Sequence, residues 1–214
     1  MKNIDLIIFD LDGTLVDSRK DIVNAVNFTL KNMHLKEKGF EELISYIGWG
    51  VEDLIKKALG NEKIDFFERA MSLFEEHYRK HAVEKTTLYP NVLKVLERFK
   101  NKRKVIVTNR KYEFAIITLK KLGIYYYFED IVGGDNLGCM KPSSCPLDST
   151  VEKFNTEKAK TIIVGDMYID ILAGKRAGIL TCAVTYGIGS IEDIVKAKPD
   201  FIIDDIIKLK EIIK

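Results

Sequence analysis

The sequence predicts an α/β fold in which a doubly wound, Rossmann-like core on a parallel sheet carries an inserted helical cap subdomain. Six short apolar runs show no polar–apolar alternation, which is typical of strands that helices cover on both faces. Helical patterns separate most of these runs, as in folds that alternate strands and helices. The connection after the first run is about 95 residues long, far longer than an ordinary crossover. We therefore expect a second, helical unit within this connection.

The apolar runs place the predicted strands of the core. Most are rich in β-branched residues, and they span residues 4–9, 105–107, 131–132, 162–164, 180–184 and 201–203. Two of the intervening helices have an apolar face, one marked by Val92, Val95, Leu96 and Phe99 and the other by Ala115, Leu119 and Leu122. Gly123 follows the second helix at a position typical of a helix C-cap.

Helical patterns fill the long connection. Ser18 and Asp21 match a capping box that starts its first helix. Further helices are predicted at about 41–47, 51–59 and 65–82. We predict that residues 1–15 and 85–214 form the α/β core and that residues 16–84 form the helical cap.

Length, charge and hydrophobicity are those of an ordinary globular protein. The 214 residues suffice for a large core, and 34 basic residues against 32 acidic ones leave a net charge of +2. This charge gives no strong field for nucleic acid or an anionic membrane. No apolar run reaches the roughly 18 residues of a membrane helix, and the N-terminus lacks a signal-peptide pattern. We expect a cytoplasmic protein, monomeric or homodimeric, without a nucleic-acid or membrane partner.

The chain has three cysteines, Cys139, Cys145 and Cys182. They cannot all pair within the chain, and their spacing fits no zinc pattern. Reduced thiols are therefore expected, as in cytoplasmic proteins.

Polar side chains follow three of the predicted strands at the points where those strands end. Asp10 and Asp12 follow the first strand, Thr108 to Arg110 follow the second, and Asp166 follows the fourth, with Asp170 close behind. Because the carboxyl ends of parallel strands form one ligand-binding edge, we expect these groups to converge. Asp10 and Asp12 are two residues apart in extended chain, so their carboxylates point the same way. The alternatives are an Asp-rich turn at the first strand and simple helix capping by Asp166 or Asp170.

Clustered carboxylates indicate a cation. Two like charges 4 Å apart repel by about 4 kcal/mol at an effective dielectric of about 20. Oxygen ligands without a His/Cys cluster favour Mg²⁺ over zinc. Such a site suits phosphoryl transfer, in which one aspartate attacks phosphorus and a second acts as acid and base. Thr108, Asn109 and Lys141 offer donors for the phosphate, although Thr108 and Asn109 also fit a turn and Lys141 a solvated surface position.

These residues resemble the four ordered motifs of the haloacid dehalogenase-like hydrolase superfamily. The motifs are Asp10-Leu11-Asp12-Gly13-Thr14, Thr108-Asn109, Lys141-Pro142 and Gly165-Asp166 with Asp170. The resemblance covers the whole chain, including a cap after the first motif. Leu15-Val16-Asp17-Ser18 and Val132-Gly133-Gly134-Asp135 make the chain most similar to the phosphoglycolate phosphatase-like branch.

The resemblance implies a role for each motif residue. Asp10 is implied as nucleophile and Asp12 as general acid and base, with Thr108 and Lys141 holding the phosphoryl group. The implied Mg²⁺ ligands are Asp10, Asp12 through its carbonyl, Asp166 and Asp170. The implied phosphate- or substrate-binding residues are Gly13, Thr14 and Asn109. The chain departs from the family pattern at Asn91, Cys145 and Met167, none of which belongs to the central chemistry.

Two further residues are candidates for contacting the substrate. Trp49, between Gly48 and Gly50, could shield the site from the cap, although packing between cap helices explains it equally well. Arg110 could meet a second anionic group on the substrate, although a solvated arginine is the alternative.

The sequence thus predicts a Mg²⁺-dependent phosphatase of small phosphomonoesters that acts through an aspartyl-phosphate intermediate, with 2-phosphoglycolate as default substrate by resemblance alone. A pyrophosphatase, a sugar-phosphate phosphatase or a phosphosugar mutase of the same fold remains open. A phospho-acceptor signalling module is the alternative from another class, but its acceptor would follow a later strand. A ligand-binding protein on an inactive enzyme scaffold is a third possibility.

Overall fold

A parallel sheet forms the centre of the core. The computed structural model describes residues 1–214, apart from the side chain of residue 62. The strands are β1 (Leu6–Phe9), β2 (Val16–Asp17), β3 (Thr87–Leu88), β4 (Arg103–Val107), β5 (Asp130–Val132), β6 (Thr161–Gly165), β7 (Leu180–Val184) and β8 (Phe201–Ile203). The described residues form a six-stranded parallel sheet in the order β5-β4-β1-β6-β7-β8. The predicted strands and the predicted fold class are confirmed.

Strand β1 shows why the apolar runs lack alternation. Ile7 and Phe9 pack into the hydrophobic cluster on one side of the sheet. Leu6 and Ile8 pack into a different cluster on the other side. All four side chains are fully buried, because a central parallel strand must present an apolar residue to both helical layers.

Helices surround the sheet and fill the long connection. They are α1 (Arg19–Asn32), α2 (Phe40–Ile44), α3 (Val51–Leu59), α4 (Phe67–His81), α5 (Val92–Arg98), α6 (Tyr112–Lys121), α7 (Cys145–Lys153), α8 (Tyr168–Ala177), α9 (Ile191–Ala197) and α10 (Leu209–Ile212). Helices α1 to α4 share a hydrophobic cluster of their own, which Phe114 of α6 joins from the core. None of the helices in the described residues combines the length and apolar character needed to cross a lipid bilayer.

A two-stranded antiparallel ribbon of β2 and β3 joins the helical insertion to the core. The sequence predicts no strand here, and this expectation is wrong because two-residue strands are too short to show a periodic pattern. The ribbon lies at the predicted domain boundaries, near residues 16 and 84. The division of the chain at these residues stays a prediction.

The predicted capping box at the start of α1 does not form. The Ser18 hydroxyl makes no capping hydrogen bond and donates to the Asp12 carboxylate instead. Asp21 is buried and accepts hydrogen bonds from the backbone amides of residues 84–86, at 2.8 to 3.0 Å. A charge-assisted bond is stronger than a neutral cap, so both side chains bind partners outside the helix. Asp21 thereby joins the two ends of the helical insertion.

The expectation of reduced thiols is wrong for two of the three cysteines. Cys139 and Cys145 form a disulfide, with their Cα atoms 6.3 Å apart, and Cys182 is free and buried. The loop between the paired cysteines turns back on itself and carries the cis peptide bond between Lys141 and Pro142. Asn91 adopts the left-handed conformation with φ 63°. Asparagine tolerates this region better than most residues.

Candidate active site

Three buried carboxylates meet at the carboxyl edge of the sheet. Asp10 follows β1, Asp166 follows β6, and Asp170 lies in the first turn of α8. Asp10 is 7% exposed, Asp166 0% and Asp170 1%. Each offers an oxygen, and the three oxygens lie within 4.8 Å of one another. The structure thus brings together three residues that are more than 150 positions apart at the extremes.

Lys141 lies among these carboxylates. Its Nζ donates to Asp10 Oδ1 at 2.6 Å and to the carbonyl of Val107 at 2.8 Å. It also lies in ion-pair contact with Asp170 Oδ1, at 2.7 Å. Burial alone would lower the pKa of Lys141, but the charges of Asp10 and Asp170 outweigh it and raise that pKa. Lys141 is therefore a buried ammonium held between two carboxylates and not a solvated surface lysine.

Asp10 and Asp166 are harder to ionise than usual. Burial raises the pKa of Asp10, with Asp170 and Asp166 adding to the effect and Lys141 opposing it. Burial and the neighbouring Asp170 raise the pKa of Asp166 to about 7. Three carboxylates face one ammonium, so full ionisation leaves two uncompensated negative charges in a buried site.

This donor set fits a magnesium ion. Magnesium prefers hard oxygen ligands and is bound through one or a few carboxylates. Asp10, Asp166 and Asp170 supply such oxygens from one cluster, and two added positive charges would balance the excess negative charge. The buried carboxylates thus match the ion that the motifs predict.

Asp12 lies beside the cluster, and two side chains fix its carboxylate. Arg110 forms a bidentate pair with it, from Nε to Oδ2 at 2.9 Å and from Nη2 to Oδ1 at 2.5 Å. Ser18 also donates to Oδ1. A bidentate pair sets both the position and the plane of the carboxylate. Arg110 is 9% exposed and is not a solvated arginine.

Gly13 and Thr14 support Asp166, and neither is placed to bind phosphate. A Cβ atom at position 13 would lie 2.1 Å from Asp166 Oδ2, and Gly13 has φ +88°, so only glycine fits. The Gly13 amide already donates to the Val16 carbonyl at 2.9 Å. The Thr14 hydroxyl donates to Asp166 Oδ1 at 2.9 Å. We therefore leave both residues out of the proposed phosphate site.

Asn109 connects the cap to the loop that carries Lys141. Its Nδ2 donates to the carbonyls of Gly48 and Lys141, both at 2.9 Å, and its Oδ1 accepts from the Lys141 amide at 2.9 Å. The side-chain amide is thus committed to backbone groups, so we assign it a positioning role. Thr108 follows β4, is 4% exposed and lines the same cavity as Asn109.

Trp49 lies outside the cavity lining and packs edge-on against Tyr168, with ring centroids 6.1 Å apart. Its glycine neighbours do line the cavity. A Cβ atom at position 48 would lie 2.4 Å from Met167 Sδ, which shows how closely the cap loop approaches the core. The two glycines therefore provide the close approach, and we leave Trp49 out of the proposed site.

A cavity between cap and core holds the catalytic groups. Asp10, Asp12, Thr108, Lys141 and Asp170 line it from the core, and Ile47, Val51, Leu54, Phe74 and Tyr78 line it from the cap. Its volume is about 70 Å³, whereas a single water needs about 10–15 Å³. A bound molecule must therefore be small.

Several site residues escape prediction from the sequence. Ser18 matches a helix cap and Tyr78 an apolar helix face, so neither pattern indicates the site. The amides of Ile188 and Gly189 donate to Asp166 Oδ2 at 2.7 and 3.3 Å, from a loop without a motif. The Gly187-Ile188-Gly189 sequence is the one available signal, since a Cβ atom at position 187 would lie 2.3 Å from Asp166 Cβ.

The comparisons with known proteins agree with this geometry. Residues 7–184 match the sequence family described as Haloacid dehalogenase-like hydrolase. The chain belongs to this family. A phosphoglycolate phosphatase of Aquifex aeolicus (strain VF5) is 39% identical to it over 211 residues, or 96% of either chain. A phosphoglycolate phosphatase of Vibrio cholerae serotype O1 is 34% identical over 222 residues, covering 100% of this chain and 98% of the relative.

A solved structure supports the same assignment. The crystal structure of a predicted phosphoglycolate phosphatase from Haemophilus somnus 129PT matches with a TM-score of 0.91, at 30% identity and over 99% of both chains. The resemblance seen in the sequence is thus confirmed. This haloacid dehalogenase-like hydrolase is of the phosphoglycolate phosphatase-like branch and is a phosphoric monoester hydrolase.

Proposed function

We propose that this hydrolase cleaves small phosphomonoesters in a Mg²⁺-dependent reaction, with 2-phosphoglycolate as its leading substrate. One observation carries the proposal: the nucleophile candidate Asp10, two further carboxylates and the buried Lys141 meet beside Asp12, and all of them except Asp166 line one cavity. The relatives named phosphoglycolate phosphatase support the choice of substrate. A cytoplasmic location remains a prediction.

Asp10 is the proposed nucleophile. Lys141 engages Oδ1 of Asp10, which orients the carboxylate and leaves Oδ2 to attack phosphorus. The attack forms an aspartyl-phosphate and breaks the bond from phosphorus to the ester oxygen. The ammonium of Lys141 and the hydroxyl of Thr108 would stabilise the negative charge on the transferring group.

Asp12 is the proposed acid and base. Its carboxyl group would give a proton to the leaving ester oxygen and then take one from the water that hydrolyses the aspartyl-phosphate. Arg110 and Ser18 hold it in one orientation throughout. Asp10, Asp166 and Asp170 would hold Mg²⁺, which neutralises phosphate charge when bound.

Phosphate release from 2-phosphoglycolate tests this proposal. We expect activity with Mg²⁺, loss of activity with a chelator, and at least a 1,000-fold loss in Asp10→Asn, which keeps the shape and removes the nucleophile. Asp5→Asn is the matched control, since Asp5 precedes the other end of β1 and is exposed. Full activity of Asp10→Asn would refute the assignment of the nucleophile.

A substrate panel separates the alternatives of the same fold. It contains pyrophosphate and sugar phosphates beside 2-phosphoglycolate. We expect the highest kcat/KM for 2-phosphoglycolate. Faster turnover of pyrophosphate, or an isomeric sugar phosphate as product without phosphate release, would replace the proposed substrate with those alternatives.

A further inference from the structure

Besides the carboxylates, Thr108, Asn109, Lys111 and Lys141, two polar groups line the cavity. Arg110 comes from the loop after β4, and Tyr78 comes from the cap helix α4. Arg110 is 9% exposed and Tyr78 is 2% exposed. The guanidinium lies 5.4 Å from the centre of the Tyr78 ring. A cation from the core and a hydroxyl-bearing ring from the cap therefore meet where the two parts of the protein close on each other.

Hydrogen bonds fix the guanidinium of Arg110 but do not use all of its N–H groups. Its Nε and Nη2 bind Asp12, and its Nη1 donates to Thr118 Oγ1 at 2.8 Å. These bonds use three of the five N–H groups of a guanidinium. The remaining two belong to the terminal nitrogens, so the fixed guanidinium can bind a further acceptor.

The Tyr78 hydroxyl is buried and has no hydrogen-bond partner of normal geometry among the described residues. The Arg110 guanidinium lies close enough to this hydroxyl to lower its pKa against the effect of burial. Contacts with Phe74 and Phe114, each at 5.1 Å between ring centroids, hold the ring in place. Leaving a buried hydroxyl unpaired is unfavourable, and the cap residues around it in the cavity are apolar. Its position is explained if a ligand accepts its hydrogen bond.

We propose that Arg110 and Tyr78 form a subsite for a carboxylate on the substrate, attached to the carbon that bears the phosphate ester. The inference rests on the proposed function and deepens it by naming the residues that recognise the substrate carboxylate. A carboxylate is an acceptor-only anion, which suits a guanidinium and a hydroxyl that both donate. The subsite makes the protein selective for phosphate esters of 2-hydroxy acids.

The position of Asp12 limits how far the carboxylate lies from the ester oxygen. Arg110 bonds both Asp12 oxygens, and Asp12 is the group proposed to protonate the ester oxygen. A group bound by Arg110 would therefore lie near Asp12 and near that oxygen. In 2-phosphoglycolate a single carbon separates the carboxylate from the ester oxygen, and this spacing fits.

The test compares 2-phosphoglycolate with the phosphate ester of glycolamide, in which a neutral amide replaces the carboxylate. We expect the wild-type protein to prefer 2-phosphoglycolate at least tenfold in kcat/KM. Tyr78→Phe should lower this preference about tenfold, mainly by raising KM for 2-phosphoglycolate. Arg110→Lys, which keeps the charge but loses the planar fork, should lower it at least as much. Tyr126→Phe is the control, since Tyr126 is 92% exposed and outside the cavity lining.

Unfolding of the ligand-free protein separates binding from a structural role. A hydroxyl that forms a hydrogen bond only with a ligand does not stabilise the ligand-free protein. The urea midpoint of Tyr78→Phe should therefore equal or exceed that of the wild type. A lower midpoint, or an equal loss of kcat/KM for both esters, would overturn the subsite. Equal wild-type activity on both esters overturns the subsite alone. Failure to release phosphate from any ester overturns the proposed function and the subsite with it.

Discussion

The cavity has two walls of opposite character. The core wall includes Asp10, Asp12, Thr108, Lys141 and Asp170, and the cap wall includes Ile47, Val51, Leu54, Phe74 and Tyr78. The core wall carries the charged groups, and hydrogen bonds from distant segments hold them in place. The cap wall is apolar except for the Tyr78 hydroxyl and is held by packing within its own hydrophobic cluster. A charged wall needs many fixed partners because buried charges are costly without them, whereas an apolar wall selects by shape.

Close contacts join the two walls. Asn109 donates to the Gly48 carbonyl, and Gly48 approaches Met167 so closely that no Cβ atom fits between them. These contacts connect the cap loop to the loop that carries Lys141, because Asn109 binds both. The difference between the walls therefore predicts that changes in the core wall affect chemistry and changes in the cap wall affect selection.

We expect the largest effect from a substitution in the core wall. Lys141→Met should lower phosphate release about 1,000-fold and the free energy of unfolding by about 3 kcal/mol. The physical reason is that Asp10 and Asp170 lose the buried cation that they face. Phosphate release and urea unfolding measure the two effects. Lys153→Met, which removes an exposed ion pair with Asp130, is the control and should change neither much. Activity above one tenth of wild type would contradict the prediction.

Reduction of the disulfide tests how much the closed loop around Lys141 contributes to the free energy of unfolding. Cys139 and Cys145 are six positions apart and flank this loop. Closing so short a loop contributes about 2 kcal/mol in the chain-entropy model, so a reductant should lower the free energy of unfolding by about that amount. The Cys139→Ser, Cys145→Ser double variant should not respond to the reductant. Identical unfolding of the wild-type protein with and without reductant would show that the link contributes nothing.

Gly48→Ala tests the contact between the walls. The new Cβ would lie 2.4 Å from Met167 Sδ, at a position with φ +114°, so the cap loop must shift. We expect kcat/KM to fall about tenfold, or about 1.4 kcal/mol, with partial recovery in the Gly48→Ala, Met167→Ala double variant. Gly39→Ala is the matched control, because nothing lies within 4 Å of its added Cβ. An unchanged kcat/KM in Gly48→Ala would mean that closure does not need this contact.

The smallest expected effect lies in the ribbon that joins the two parts. Hydrogen bonding by Arg19 lowers the pKa of Asp17, so the charged form of Asp17 stabilises the folded state above its unfolded pKa of about 3.9. Asp17→Asn should lower the free energy of unfolding at pH 7 by less than about 1 kcal/mol. The difference from wild type should vanish as the pH falls through the lowered pKa. Urea unfolding at pH 7 and pH 3 measures it, with the exposed Asp65→Asn as control. If the difference in free energy of unfolding between the two proteins grew as the pH fell, it would contradict a lowered pKa of Asp17.

The sequence by itself determined the strands, their order along the chain and the edge on which the polar groups lie. This worked because each strand is a local apolar run, and because Asp10 and Asp12 follow β1 with a spacing that sets their direction. The insertion was predictable from the length of the connection. Its two-residue strands were not, because so short an element leaves no pattern.

Only the tertiary structure decided the partners of the polar atoms. The Thr14 hydroxyl donates to Asp166, and Gly13 leaves the space that the Asp166 carboxylate fills. Asn109 donates to carbonyls in two loops, and Ser18 donates to Asp12. Each of these pairings joins a side chain to a group that a local pattern does not specify, and most cross large stretches of chain. A hydrogen bond depends on distance and angle in space, and the packing of cap against core sets both.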